Sequence, residues 1–211
     1  MELWELCDEN KNKVGKIIER GPTPDGYFHL IVHVWIKNSS GQYLISRRSA
    51  SKKLHPLLYE CVGGSVIAGE TSVQGALRET EEEVGLKFKE EDAKLVHSEV
   101  RRIIGEKHFN DIVDVWLINY DGEVDLSNAL TDEVESVKWC DLNEIKKLYD
   151  DGELVPTLEY IFWLHKKLQK DKGKKRKILK NKKNNQKSKE KLQYFDFYDD
   201  VKHNSHRDIA W

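Results

Sequence analysis

Along the first sixty residues, runs of β-branched, aromatic and aliphatic positions alternate with polar, turn-forming stretches, the pattern of short strands. Residues 2–20 read as a small two-strand entry, with Leu3, Leu6, Val14 and Ile17 around a polar turn. Gly21-Pro22-Thr23-Pro24-Asp25-Gly26 interrupts the pattern as a loop. Tyr27 to Lys37 (YFHLIVHVWIK) is then rich in β-branched and aromatic residues, Asn38-Ser39-Ser40-Gly41 supplies a turn, and Gln42 to Arg47 returns, which predicts a hairpin. Residues 49–58 form a basic loop, and Leu58 to Val62 begin a strand that runs into Gly63-Gly64.

The period changes at Ser72. From there to Val84 the spacing predicts a helix, with Thr71 and Gln74 as a capping box and Gly85 where a left-handed C-terminal residue is needed. Ala93–Ile104 and Phe109–Tyr120 read as paired strands, Val137–Cys140 as a short strand, and Asp141 to Tyr149 as a short helix. Pro156 is expected to open a final amphipathic helix through Leu158, Ile161, Phe162, Leu164 and Leu168. Strands on both sides of a central helix, with a helix at the end, describe an α+β chain or an α/β/α sandwich.

Composition changes the picture at the C-terminal end. Between Lys166 and Lys191, 14 Lys or Arg face only Asp171 and Glu190, about +12, leaving 21 basic and 35 acidic residues elsewhere, about −14. An acidic domain over residues 1–168 and a basic extension over 169–211, either a solvated helix or a disordered segment, are therefore expected. The aromatics near Tyr194 and Phe197 are not placed by any pattern. Cys7, Cys61 and Cys140 are widely separated, which argues against a disulfide framework or a zinc knuckle and fits a reducing cytosol. The first residues lack the basic start and apolar run of a signal peptide, and no stretch is long and apolar enough to cross a bilayer, so a cytoplasmic protein is expected.

The chemistry lies in Gly64-Ser65-Val66-Ile67-Ala68-Gly69-Glu70 and, seven residues later, Arg78-Glu79-Thr80-Glu81-Glu82-Glu83-Val84-Gly85-Leu86. Glu79, Glu82 and Glu83 stand at i, i+3 and i+4, so their carboxylates gather on one helical face. Three such charges repel unless a cation sits among them, and hard oxygen ligands suit Mg²⁺ or Mn²⁺. That site could neutralise a diphosphate, orient a water and stabilise the leaving phosphate, with one glutamate taking the proton. Arg78 is placed to hold Glu82, and Gly63, Gly64 and Gly69 to let the loop fold against the helix. The plain alternative is a solvated acidic face, which this spacing makes the weaker reading.

The same residues resemble the Nudix box at its seven fixed positions, with Thr80 at one of the bulky apolar places. The resemblance, which covers roughly residues 1–165, implies a Nudix-type α/β/α sandwich with a mixed central sheet and a pyrophosphohydrolase. Its substrate would be a nucleoside diphosphate linked to another moiety, with nucleoside di- or triphosphates as the lean. Arg47, Arg48, Lys52 and Lys53 are candidates to hold the phosphates, with a solvated basic loop as the even alternative. His29, His33 and Trp35 share one strand face and could line the pocket, Trp35 stacking on a base, or could simply pack. Glu106, Asp111 and Asp114 are candidates for a further metal ligand or base, and Glu133 and Glu135 weaker ones.

Within the superfamily, HLIVHVWI, GQYLISRRSASKKLHPLLYECVGGS and Lys138-Trp139-Cys140-Asp141-Leu142 are similar to the type I isopentenyl-diphosphate isomerases. Those enzymes call for Cys-Gly-His-Pro where this chain has Gly63-Gly64-Ser65-Val66. The intact box and the missing cysteine favour hydrolysis, with isomerase-like chemistry as the alternative. Nucleic-acid binding through residues 172–191 is a separate and less favoured reading, and a non-catalytic nucleotide sensor a third. Similar proteins also leave room for a homodimer.

Overall fold

The computed structural model describes residues 2–104, 107–171, 173, 174 and 177. Glu106, the basic run beyond Lys177 and the terminal aromatics lie outside the described residues. Leu3–Cys7 (β1) and Lys13–Glu19 (β2) pair antiparallel as a separate two-stranded sheet, the two-strand entry expected.

A seven-stranded mixed sheet follows. It comprises His29–Lys37 (β3), Tyr43–Arg48 (β4), Tyr59–Glu60 (β5), Val62–Ser65 (β6), Ala93–Ile104 (β7), Lys107–Asn119 (β8) and Val134–Cys140 (β9). The path runs β5-β4-β3-β8-β7, with β6 also on β3 and β9 also on β4. β3 and β8 are parallel, and the other pairs antiparallel. The helices are Ser72–Val84 (α1) and Leu142–Asp150 (α2). This mixed sheet with packed helices is the α/β sandwich that the pattern of elements implied.

The expected hairpin between the third and fourth strands is only partly formed. β3 and β4 share a single register pair, Lys37↔Tyr43, and then diverge. β6 takes the vacated side of β3, with Val32 opposite Gly64 and His33 opposite Gly63. β4 turns instead to β9 and β5. The reason is steric: a Cβ on Gly63 would lie 2.3 Å from the carbonyl oxygen of Val32, so only glycine permits this approach.

α1 is built as its sequence requires. Thr71 and Gln74 form a reciprocal capping box, and Gly85 ends the helix at φ 70°. Its inner face joins Val32, Val34 and Ile36 of β3, Val62 of β6 and Ile118 of β8 in one core with Val66, Ala76, Val84 and Leu86. Each such aliphatic burial contributes roughly 1.5–3 kcal/mol, which fixes the helix against the glycine-bearing strand. The helix expected to open at Pro156 begins later. Pro156–Leu158 is a 3-10 turn, and residues 161–171 are helical. The compact unit that carries the site ends at Tyr160, and the helix belongs to a second unit.

Candidate active site

Arg78 is the hub of the site. Its Nε donates to Glu70 Oε1 at 2.8 Å, and Nη2 donates to the Ser65 carbonyl at 2.8 Å and to Glu70 Oε2 at 3.2 Å. Nη1 donates to Glu79 Oε1 and to Glu82 Oε2, both at 2.9 Å. One guanidinium thus joins the loop after β6 to two carboxylates of α1. Glu70 also accepts from the Ile67 amide, so the loop is tied at both ends.

Glu79 lies against β6, where a Cβ on Gly64 would come within 2.3–2.6 Å of its carboxyl atoms. Glu83 is buried one turn on, and its Oε2 accepts from the Gly63 amide at 3.3 Å. The two glycines therefore do different things: Gly63 lets strands meet, and Gly64 makes room for a carboxylate. Burial pushes the Glu79 carboxyl up to about 7, against the pull of Arg78 and helped by the charges of Glu82 and Glu133. Glu83 is held well above the usual carboxylate range by burial, then by Glu60 and Glu79.

Glu60 and Glu133 complete the acidic group. Glu60 is raised by burial, and the Arg48 guanidinium beside it works in the opposite direction. Arg48 Nη1 donates to Glu60 Oε1 at 2.5 Å, and Lys52 forms an ion pair with Glu133. The basic loop is closed on itself by Arg48 N donating to the Leu58 carbonyl and Leu57 N donating to that of Arg48. His55 and Leu57 adopt φ of 51° and 64° there, a left-handed conformation unfavourable for a branched side chain. Arg48 and Lys52 thus stand beside the glutamates, whereas Arg47 turns outward to Glu135 at 3.3 Å and Lys53 is exposed.

Of the two roles open to the strand-face candidates, the contacts are those of packing. His29, His33 and Trp35 do share one face of β3, but it is the face turned away from α1 and it is filled. Tyr160 Oη accepts from Trp35 Nε1 at 2.9 Å and meets His33 Nδ1 at 2.8 Å. Trp35 is 1% exposed and edge-on to Tyr43, so it offers no ring face to a base. His29 stacks on Trp4 at 3.9 Å and bonds Thr23. Burial lowers His29 to about 4 and His33 to about 3, so both rings are neutral near pH 7. Asp111 and Asp114 are likewise committed, the first to Arg101 at 2.6 and 2.8 Å, the second to Lys11 at 2.5 Å.

Among the described residues no three His, Cys, Asp or Glu side chains converge closely enough to hold an ion as they stand. Two of the carboxylates instead converge on one Arg78 nitrogen. The donor chemistry nevertheless fits a divalent cation: clustered carboxylate oxygens, two of them driven toward protonation by burial and mutual repulsion. Glu60 was not anticipated. Its signal was a lone charge inside the apolar run Tyr59-Glu60-Cys61-Val62, where an unpaired carboxylate is rare.

Residues 27–160 match the NUDIX domain family. The chain belongs to the Nudix family. An uncharacterised Nudix hydrolase of Listeria monocytogenes is 32% identical over 159 residues, covering 74% of this chain and 89% of the relative. The isopentenyl-diphosphate Δ-isomerase of Shigella flexneri is 27% identical over 134 residues, 61% of this chain and 70% of that enzyme. In fold, the chain is similar to the crystal structure of a Deinococcus radiodurans protein, with TM-score 0.57 and 24% identity over 73% of this chain and 92% of that one. Hydrolysis of phosphoric anhydride bonds is the activity common to Nudix hydrolases, which generally use divalent metal ions. Among the described residues no helix is long and apolar enough to cross a membrane.

Proposed function

We propose that this Nudix protein is a Mg²⁺- or Mn²⁺-dependent pyrophosphohydrolase that cleaves a nucleoside diphosphate linked to a further group, with nucleoside di- and triphosphates as its substrate class. The observation that carries the reading is the convergence of Glu79 and Glu82 on Arg78, with Glu83 beneath Gly63 and Glu79 seated at Gly64. Glu79, Glu82 and Glu83 would hold the ion, which when bound supplies charge neutralisation for the diphosphate and a more acidic water. Arg78 keeps the carboxylates aligned during turnover. Arg48 and Lys52 present their charges to the phosphates, and a carboxylate of this group takes the water's proton. With Trp35 enclosed, the base of the substrate is read elsewhere.

The likeness to the Shigella enzyme supports a second reading, isomerisation of isopentenyl diphosphate. Against it, position 63 has no space for a cysteine, and Cys61 is buried with its thiol pushed well above its usual range by burial, beside Tyr160. Nucleoside di- and triphosphates, nucleotide sugars and isopentenyl diphosphate should be incubated with protein and Mg²⁺, and the products resolved. Metal-dependent release of a nucleoside monophosphate, lost in Glu82→Gln, is expected. Dimethylallyl diphosphate formed without anhydride cleavage would replace this reading with the second.

A further inference from the structure

The helical residues after Tyr160 fall outside the part of the chain that matches the family, and the hydrolase reading makes no use of them. Residues 161–171, 173, 174 and 177 are helical. At 100° per residue, Lys166, Lys167, Lys170, Lys174 and Lys177 all fall within about 60° of Trp163 around the helix. They form one stripe about 21 Å long. Trp163 and each of these lysines are exposed.

Trp163 is 43% exposed within that stripe, with the Lys167 ammonium 5.8 Å from its ring centre. Trp163, Lys166, Lys167, Lys170 and Lys174 line a shallow cavity of about 400 Å³, with Asp171 at its side as the one opposing charge. Lysines alone would suffice to keep a segment soluble. A tryptophan among them adds apolar exposure that solubility opposes and that a π-faced anion would use. An anionic membrane fits less well, because an interfacial helix needs a broad apolar face and Trp163 is the one large apolar side chain among the exposed described residues of this helix.

We infer that the Trp163–Lys177 face binds single-stranded nucleic acid, the lysines tracking phosphates and Trp163 stacking on a base. The charge balance agrees, since the basic residues from Lys166 onward counter a chain otherwise strongly acidic. The site is independent of the hydrolase chemistry.

The test is fluorescence anisotropy of the full chain with labelled oligo-U and oligo-dT across a salt series. Trp163→Ala, Trp163→Phe and the triple Lys166→Gln, Lys170→Gln, Lys174→Gln serve as variants, and vesicles containing phosphatidylserine as the competing surface. Binding to either oligonucleotide is expected, with Trp163→Ala weaker by on the order of tenfold and Trp163→Phe recovering most of the loss. The triple variant should lower the slope of log affinity against log salt by about 2. Nucleotide hydrolysis should be unchanged in all three. No binding of either oligonucleotide at low salt would overturn the inference. So would affinity indifferent to Trp163, or vesicle binding of equal strength with the same Trp163 dependence.

Discussion

Glutamine in place of Glu82 removes a charge from the site without shortening the side chain, and Glu82 is only half-buried, so the fold should tolerate it. A loss of at least about a hundredfold in kcat is expected, with little change in melting temperature. Steady-state kinetics beside a thermal melt checks both. Gly64→Ala and Gly63→Ala should separate in the same two measurements. At position 64 the added methyl meets the flexible end of Glu79, so activity should fall by more than about tenfold while stability drops by only about 1 kcal/mol. At position 63 the methyl meets the backbone of β3, which has nowhere to go, and stability should fall by about 3 kcal/mol or more. Equal melting temperatures for the two variants would contradict that division of labour.

At the scale of elements, Tyr160 closes the back of β3. Tyr160→Phe leaves the buried Trp35 indole N–H and the His33 ring nitrogen without their partner. It should cost about 1–3 kcal/mol in denaturant unfolding while kcat stays within about twofold. A large kcat effect would mean that this face communicates with the carboxylates. Much of the architecture was legible in the chain because it is local: α1 carries its own cap, its own C-terminal glycine and its own carboxylate spacing. The partial hairpin was not legible, because whether β3 keeps β4 or accepts β6 depends on Gly63 approaching Val32, a contact between residues thirty-one apart in sequence. The same holds for Lys52 and Glu133, whose pairing depends on how two loops meet. A strand face could be read from alternation, but not which helix or tyrosine would cover it.

For the molecule as a whole, the buried groups set opposite limits on stability with pH. Glu79 has a folded pKa of about 7, above its ordinary 4.5. The metal-free fold therefore holds a proton that the unfolded chain releases, and stability is lost as pH rises through about 7. His29 and His33 are depressed from 6.5 to about 4 and about 3, so the unfolded chain takes up protons first and stability is lost as pH falls below about 6.5. At pH 5 each histidine should contribute a loss of about 2 kcal/mol. Melting temperatures in a chelator should therefore peak near pH 6 to 7, and Glu79→Gln, by removing the opposing slope between about pH 4.5 and 7, should steepen the acid limb set by the histidines. Adding Mg²⁺ should raise the melting temperature more at pH 8 than at pH 6, since at the higher pH fewer protons compete with the ion. An equal rise at both values would separate the ion from Glu79.

Arg78 gathers two carboxylates that would otherwise repel one another. Its guanidinium already occupies the attention of the two carboxylates that an ion would claim. Stripping the metal should accordingly idle the catalyst while leaving its scaffold whole, as a zinc finger's scaffold would not be.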